Sequence, residues 1–311
     1  MDTVAVVLDK PGKLALRTVE LEDAGADDIV VDAAWTGISS GTERLLWAGR
    51  MPHFPGMGYP LVPGYETIGR VSRAGHGFSE GDLVFVPGAN CYKGLKGLFG
   101  GAAARLVLPA QRAVPLPALQ DSTGTLIALA ATAHHAVAGP RAALPQLVIG
   151  HGILGRLIAR MTLALGGPAP TVWEIQTARR DGAAGYSVID PAGDSRRDYE
   201  TICDASGASD LLDTIIPRLA KGGEITLAGF YEQPLSFAFP PAFMREARIR
   251  IAAEFTRADI DAVNALLSAG HLNLDGLVSH HAPARHARSA YAQAFTDPTC
   301  IKMALDWSTL S

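Results

Sequence analysis

The run Leu147-Val148-Ile149-Gly150-His151-Gly152-Ile153-Leu154-Gly155-Arg156-Leu157-Ile158 decides the fold. Three apolar residues lead into a Gly-x-Gly-x-x-Gly turn. After it, Leu154, Leu157, Ile158, Met161 and Leu165 recur at offsets of three and four. That pattern predicts a buried strand, a tight turn and an amphipathic helix with one face against a sheet. The first glycine permits the turn, the second lets the backbone approach a pyrophosphate, and the third lets helix and strand pack closely. Unpaired N–H groups and the helix dipole favour phosphate at that N-terminus.

The glycine pattern alone is weak, and its context strengthens it. Glu174 ends the next candidate strand, nineteen positions after Gly155. A dinucleotide site expects an acid near that spacing for the ribose hydroxyls. A carboxylate there repels a 2′-phosphate, so NAD is expected over NADP, with Arg179 and Arg180 the neighbours that argue the other way. The expected cofactor-binding residues are Gly150, His151, Gly152, Ile153, Leu154, Gly155 and Glu174. Ala205 and Ser206, after the strand candidate Thr201–Asp204, and Gly229 can line the cofactor's edge.

Outward from this run, strand candidates alternate with helical segments from about residue 126 to 255. They lie at 146–149, 171–175, 186–189, 201–204, 224–228 and 249–253. This implies an α/β fold with a Rossmann-type doubly wound parallel sheet. Residues 1–125 instead carry short β-like runs between Gly/Pro turns, such as 29–33, 67–72, 83–87 and 104–108. Past residue 255 helices are expected over 259–268 and 285–295, then a strand over 301–305.

Composition narrows the function. The 311 residues are 48% hydrophobic and 19% charged, enough for two packed domains. A net charge of −4 gives no footprint for nucleic acid. Cys91, Cys203 and Cys300 form no metal or redox pair and suit a reducing, cytoplasmic setting. No run reads as a signal peptide or an integral membrane span. The longest apolar stretch, 147–167, carries His151, Arg156 and Arg160.

Taken in order, these pieces resemble the medium-chain dehydrogenase/reductase superfamily, over essentially the whole chain. Gly37-Ile38-Ser39-Ser40-Gly41-Thr42-Glu43 is similar to the stretch that carries a Cys-Gly-Thr-Asp-type ligand site in zinc members. Gly64-Tyr65-Glu66-Thr67-Ile68-Gly69 is similar to the Gly-His-Glu-x-x-Gly signature, and Gly100–Ala104 to the segment before the last strand of the first domain. The resemblance implies a GroES-like β-rich catalytic domain at 1–125, an inserted Rossmann domain at 126–255 and a return to the catalytic domain at 256–311. It also implies a homodimer formed through the cofactor domain's sheet edge.

The departures imply a zinc-free member. Ser40 stands at the cysteine position, Tyr65 at the histidine position and Ala128 at the third. Glu66 alone does not make a tetrahedral site, and Cys91 alone does not make the structural zinc lobe. No metal is therefore expected. The expected catalytic residues are Thr42 and Tyr65 on the substrate oxygen, with Ser40 beside them and Glu66 behind, as a second layer or as a structural ion pair. An inert Tyr65 filling the old metal cavity is the alternative.

The compact length, Gly-Tyr-Glu-Thr at 64–67 and the run 129–136 further resemble the branch of the superfamily that acts on a bacteriochlorophyllide. That implies a tetrapyrrole substrate whose 3-(1-hydroxyethyl) group is oxidised to acetyl in bacteriochlorophyll biosynthesis. Trp47, Met51, Phe54 and Tyr59 are then expected to cover the macrocycle, with core packing as the competing role. His134 and His135 are candidates for a proton relay or for a buried, satisfied pair. A zinc-free quinone or enoyl reductase and a non-catalytic nucleotide sensor are the rival readings.

Overall fold

The computed structural model describes residues 1–53, 56–96, 99–116, 119 and 121–310. The chain divides into two compact units, Met1–Ala128 with Asp275–Ser311, and Leu129–Leu274.

The first unit is built on the strand Asp28–Ile38, whose Ile29, Val30 and Val31 are buried. It pairs antiparallel with Thr67–Arg73, with Arg105–Pro109 and with the C-terminal strand Met303–Asp306. Leu83–Val86 and Val114–Pro115 extend one side, and His280–Pro283 extends the other in parallel. The hairpin Asp2–Lys10/Lys13–Glu20 forms a separate two-stranded sheet. Val6, Leu8, Val86, Leu106 and Leu305 share one apolar core. Because Met303–Asp306 pairs along residues 35–38, the chain's end is fixed beside the Gly37–Glu43 segment.

The second unit holds six parallel strands. In space they run Ser187–Ile189, Thr171–Trp173, Leu147–Ile149, Tyr199–Asp204, Leu219–Leu227, Arg248–Ile251. Counted along the chain this is the order 3-2-1-4-5-6 of a Rossmann sheet. The first crossover is the helix Ile153–Ala164, which buries Leu157, Ile158 and Met161 as its periodicity predicts.

The later crossovers depart from the expected regular alternation. Only the turn Thr177–Arg179 lies between the second and third strands, and only Pro191–Gly193 between the third and fourth. These segments contain Asp181-Gly182, Gly185 and Pro191 and no continuous apolar stripe of large residues at helical spacing, so they do not cover a sheet face as helices. Side-chain bonds close part of the gap: Trp173 Nε1 and the Tyr199 hydroxyl both donate to Asp194 Oδ2, each at 2.7 Å.

The helix Arg257–Ser268 belongs to the second unit, whereas the sequence placed it with the returning segment. Asp259 accounts for this. It closes a capping box with Thr256 and also accepts from His134 Nδ1 at 2.8 Å and His135 Nδ1 at 2.9 Å. The histidine pair is therefore engaged as a structural clamp. Among the described residues no helix is long and apolar enough to cross a membrane.

Candidate active site

The residues expected to bind a cofactor lie at the carboxyl ends of the parallel strands of the second unit. Gly150 has φ +91°, in the left-handed region, and a Cβ on Gly155 would stand 1.8 Å from the Gly150 carbonyl oxygen. Only glycine lets helix and strand approach this closely. Gly152 is the N-cap of the helix, with no side chain bonded to the first-turn amides and open space where a Cβ would be. The Ala205–Ser206 backbone packs against Gly150, and Gly207 against Gly229, so the expected cofactor segments meet. This cradle fits a pyrophosphate.

Glu174 is buried beside the cradle. Its Oε2 accepts from His151 N at 3.0 Å and its Oε1 from Gln176 N at 2.8 Å, leaving each oxygen a further lone pair. Arg180 donates to the Glu174 carbonyl and pairs with Asp190. His151 contributes more than its backbone. Its Nδ1 meets the Arg179 carbonyl at 2.6 Å and its Nε2 the Tyr186 hydroxyl at 2.9 Å. Burial pulls its pKa down to about 4, so the ring is neutral at neutral pH. Buried Arg156 donates to the carbonyls of His151, Arg179, Asp181 and Gly182. Together these residues tie loop 175–186 to the glycine turn.

The second cluster lies in the first unit. Residues 37–43 leave the strand Asp28–Ile38 and enter the helix Thr42–Ala48. Ser39, not Ser40, is the hub there. The Tyr65 hydroxyl donates to Ser39 Oγ at 2.9 Å, and Thr42 N donates to the same oxygen at 3.2 Å. The Thr42 side chain is a neighbour that favours the ionised form of Tyr65. Burial first, and the Glu66 charge second, push its phenol well above the ordinary value, so it stands as a neutral hydroxyl. Tyr65, Thr42 and Ser40 remain half-buried and reachable.

Behind the hydroxyls lies a charged layer. Glu66 is fully buried against Lys302, and Glu66 Oε1 has no partner among the described residues. Glu43 accepts from Ser39 N at 3.0 Å and from the Tyr291 hydroxyl at 2.7 Å, and burial raises its pKa to about 7. Ser39 and Glu43 lie in the Gly37–Glu43 motif without a role assigned there, and Tyr291 and Lys302 lie in no motif. The one sequence signal was a lysine inside the apolar run 301–305. Among the described residues no three His, Cys, Asp or Glu side chains converge as metal ligands.

The expected tetrapyrrole contacts lie elsewhere in the same unit. Met51 is buried in the apolar core, and Trp47 and Tyr59 pack against it. Trp47 meets Phe295 at a ring distance of 5.8 Å, and the Tyr59 hydroxyl donates to the Leu46 carbonyl at 2.6 Å. Phe54 lies outside the described residues.

Comparison with known proteins agrees with this geometry. The alcohol dehydrogenase GroES-like domain family matches residues 25–118. The chain is 56% identical over 310 residues to the 2-desacetyl-2-hydroxyethyl bacteriochlorophyllide A dehydrogenase of Rhodobacter capsulatus, covering 99% of each. It is 54% identical over 314 residues to the protein of the same name from Cereibacter sphaeroides, again covering 99% of each. Among solved structures, the 2R,3R-butanediol dehydrogenase of Bacillus subtilis superposes with a TM-score of 0.85 at 18% identity, over 98% of this chain and 99% of that one, and shares the fold. With two relatives more than half identical along nearly their whole length, the chain belongs to the bacteriochlorophyllide dehydrogenase family, alcohol-type dehydrogenases of the medium-chain dehydrogenase/reductase superfamily.

Proposed function

We propose that the protein oxidises the hydroxyethyl substituent of 2-desacetyl-2-hydroxyethyl bacteriochlorophyllide A to an acetyl group, in bacteriochlorophyll biosynthesis, with NAD and without zinc. (Position 2 in that name is position 3 in the other ring numbering.) The observation that carries this reading is the 56% identity over the full length of a dehydrogenase named for that substrate.

NAD is favoured over NADP by two features. The Glu174 carboxylate lies at the cradle where a 2′-phosphate would be repelled, and Arg180 is already committed to Glu174 and Asp190. The glycine turn and the Gly152 helix start would hold the pyrophosphate. Bound nicotinamide supplies the hydride acceptor. Independence of zinc is supported by the donor set, since Ser40, Tyr65 and Ala128 offer no thiolate or imidazole.

In this reading Tyr65 and Thr42 contact the substrate hydroxyl. With nicotinamide bound as the hydride acceptor, the Tyr65–Ser39–Thr42 hydroxyls would hold the substrate hydroxyl and pass its proton from hydroxyl to hydroxyl out to solvent. Because burial keeps Tyr65 neutral, its role is to bridge and relay rather than to serve as a standing phenolate. A cytoplasmic location is supported by three buried, unbridged cysteines. A second copy is proposed to cover the edge strand Arg248–Ile251, which is bonded to Leu219–Leu227 on one side only.

The test is turnover. Protein treated with chelator is mixed with the hydroxyethyl pigment and NAD, and NADH and the pigment's absorption are followed. Turnover under chelation is expected, with Tyr65→Phe and Thr42→Val each lowering kcat roughly 10²-fold. A reaction that appears only when zinc is added back would overturn the metal-free reading. No reaction with either nucleotide would overturn the substrate.

A further inference from the structure

Phe99 holds a backbone conformation that its side chain opposes. Its φ is +72°, in the left-handed region. A Cβ is crowded there, and for a bulky residue that is an outlier. Glycine would adopt it freely, and glycines follow at 100 and 101. The fold enforces the conformation from both sides. The chain at Gly88 is pressed against it, since a Cβ on Gly88 would stand 2.3 Å from the Phe99 carbonyl oxygen. Beyond Phe99, Gly100 N donates to the Val62 carbonyl at 2.9 Å, Gly101 N to that of Gly64 at 2.7 Å and Ala102 N to that of Pro63 at 2.8 Å. Segment 99–102 is thus laced to 62–64, which leads directly into Tyr65.

What this strained backbone delivers is an aromatic ring at Tyr65. The two ring centroids lie 5.1 Å apart and the planes are tilted by 47°, within the range of about 4.5–7 Å at which aromatic rings attract. Both residues are half-buried and reachable, and Phe99 rests on the apolar core of the first unit. Trp47 meets Phe295 and the Tyr59 hydroxyl is bonded to the Leu46 carbonyl, whereas Phe99 meets the hydroxyl cluster itself. A backbone outlier kept beside a reacting group is the kind of strain that ligand clamps store.

The substrate class gives such a ring a use. In the hydroxyethyl pigment the carbinol carbon is bonded directly to a pyrrole of a flat, conjugated macrocycle. With the carbinol oxygen at the Tyr65 hydroxyl, the macrocycle begins at the carbon next to the carbinol, within reach of a neighbouring side chain. A flat apolar ring is a surface that receives it. We propose that Phe99 is a substrate-recognition residue: held beside Tyr65, its ring packs against the pyrrole that bears the hydroxyethyl group and so places the carbinol at the Tyr65 hydroxyl. This rests on the reading of the pigment as substrate, with Tyr65 on its oxygen.

The test uses full-length Phe99→Leu, Phe99→Gly and Phe99→Tyr. Leucine keeps apolar bulk without the aromatic face, glycine suits the backbone and removes the side chain, and tyrosine restores the ring. Binding is read first, without turnover, by titrating each protein with 2-desacetyl-2-hydroxyethyl bacteriochlorophyllide A and following the pigment's absorption. The pigment Kd is expected to rise about fivefold in Phe99→Leu and at least about tenfold in Phe99→Gly, and to stay within about twofold of wild type in Phe99→Tyr. The Kd for NAD should be unchanged in all three. In steady state, KM for the pigment should rise by a larger factor than kcat falls.

Should Phe99→Gly fail to fold, the leucine and tyrosine variants still decide the matter. The inference is overturned if the folded variants bind pigment as wild type does, even where kcat falls, because a ring that only props Tyr65 would slow the reaction without weakening binding. A wild-type protein that neither binds nor oxidises the pigment would fail the substrate reading and take the inference with it. If the pigment is oxidised and Tyr65→Phe turns over normally, Tyr65 is not on the oxygen. Weakened binding in the Phe99 variants would then still place this ring against the macrocycle.

Discussion

Glu43 shows how much one buried group can disclose. Burial lifts its carboxyl from 4.5 to about 7, against the Ser39 amide and the Tyr291 hydroxyl that favour ionisation. The folded state therefore keeps a proton that the unfolded chain loses as pH rises from 4.5 to 7. Stability from this group is present in full below 4.5 and is lost as pH climbs through 7. Glu43→Gln carries no such titration. Its melting temperature relative to wild type should thus rise from pH 5 to pH 8, by an amount equivalent to about 2 kcal/mol. A difference that stays flat across that range, measured by calorimetry, would remove Glu43 from the list of buried acids. At this scale the sequence showed half of the site. Thr42 and Tyr65 were legible because they sit in motifs. Ser39 was hidden by Ser40 beside it, and Lys302 and Tyr291 reach the site from 236 and 248 residues along the chain. Pairings over such separations leave no local periodicity to read.

Among the elements, the strand–turn–helix at 147–164 formed as its spacing predicts, because each local preference agrees with the packing there. The loop that follows was not legible. Residues 175–186 follow the second strand where a regular crossover helix was expected, and they are held by polar bonds that no hydrophobic pattern announces. Arg156 is the centre of that holding. Its guanidinium serves four carbonyls, three of them on loop 175–186. Arg156→Met keeps the aliphatic stem and removes every donor. Buried carbonyls left unpaired cost about 1–3 kcal/mol apiece where water cannot reach them. The variant is expected to lose about 3 kcal/mol of stability and to bind NAD at least about tenfold more weakly, since Glu174 and the His151 amide lose their support. Binding measured by nucleotide fluorescence decides it. An unchanged Kd in a destabilised variant would mean that the loop matters for folding alone.

For the whole molecule, the strand order of the second unit leaves Arg248–Ile251 as an edge with one hydrogen-bonded neighbour. Such edges are normally blunted, because an open ladder invites another chain. Here Ile251 is 76% exposed, and Phe239, Phe243 and Met244 on the preceding helix are also open to solvent. Apolar side chains exposed in this way are a common feature of surfaces that another protein covers. The sequence showed the strand at 249–253 but could not show it to be the edge, since strand order is set by how the crossovers pack and not by local composition. A second copy meeting the same edge about a two-fold axis would pair strand to strand and bury both apolar clusters at once. Light scattering on the eluting protein should then give twice the 32.6 kDa chain mass. Ile251→Lys with Phe243→Glu places charges on the edge and on the helix, and should give the single-chain mass with the NAD cradle intact. A wild-type protein that elutes as one chain at micromolar concentration would assign the edge to a different partner. A double variant that still elutes as a dimer would move the interface away from this strand.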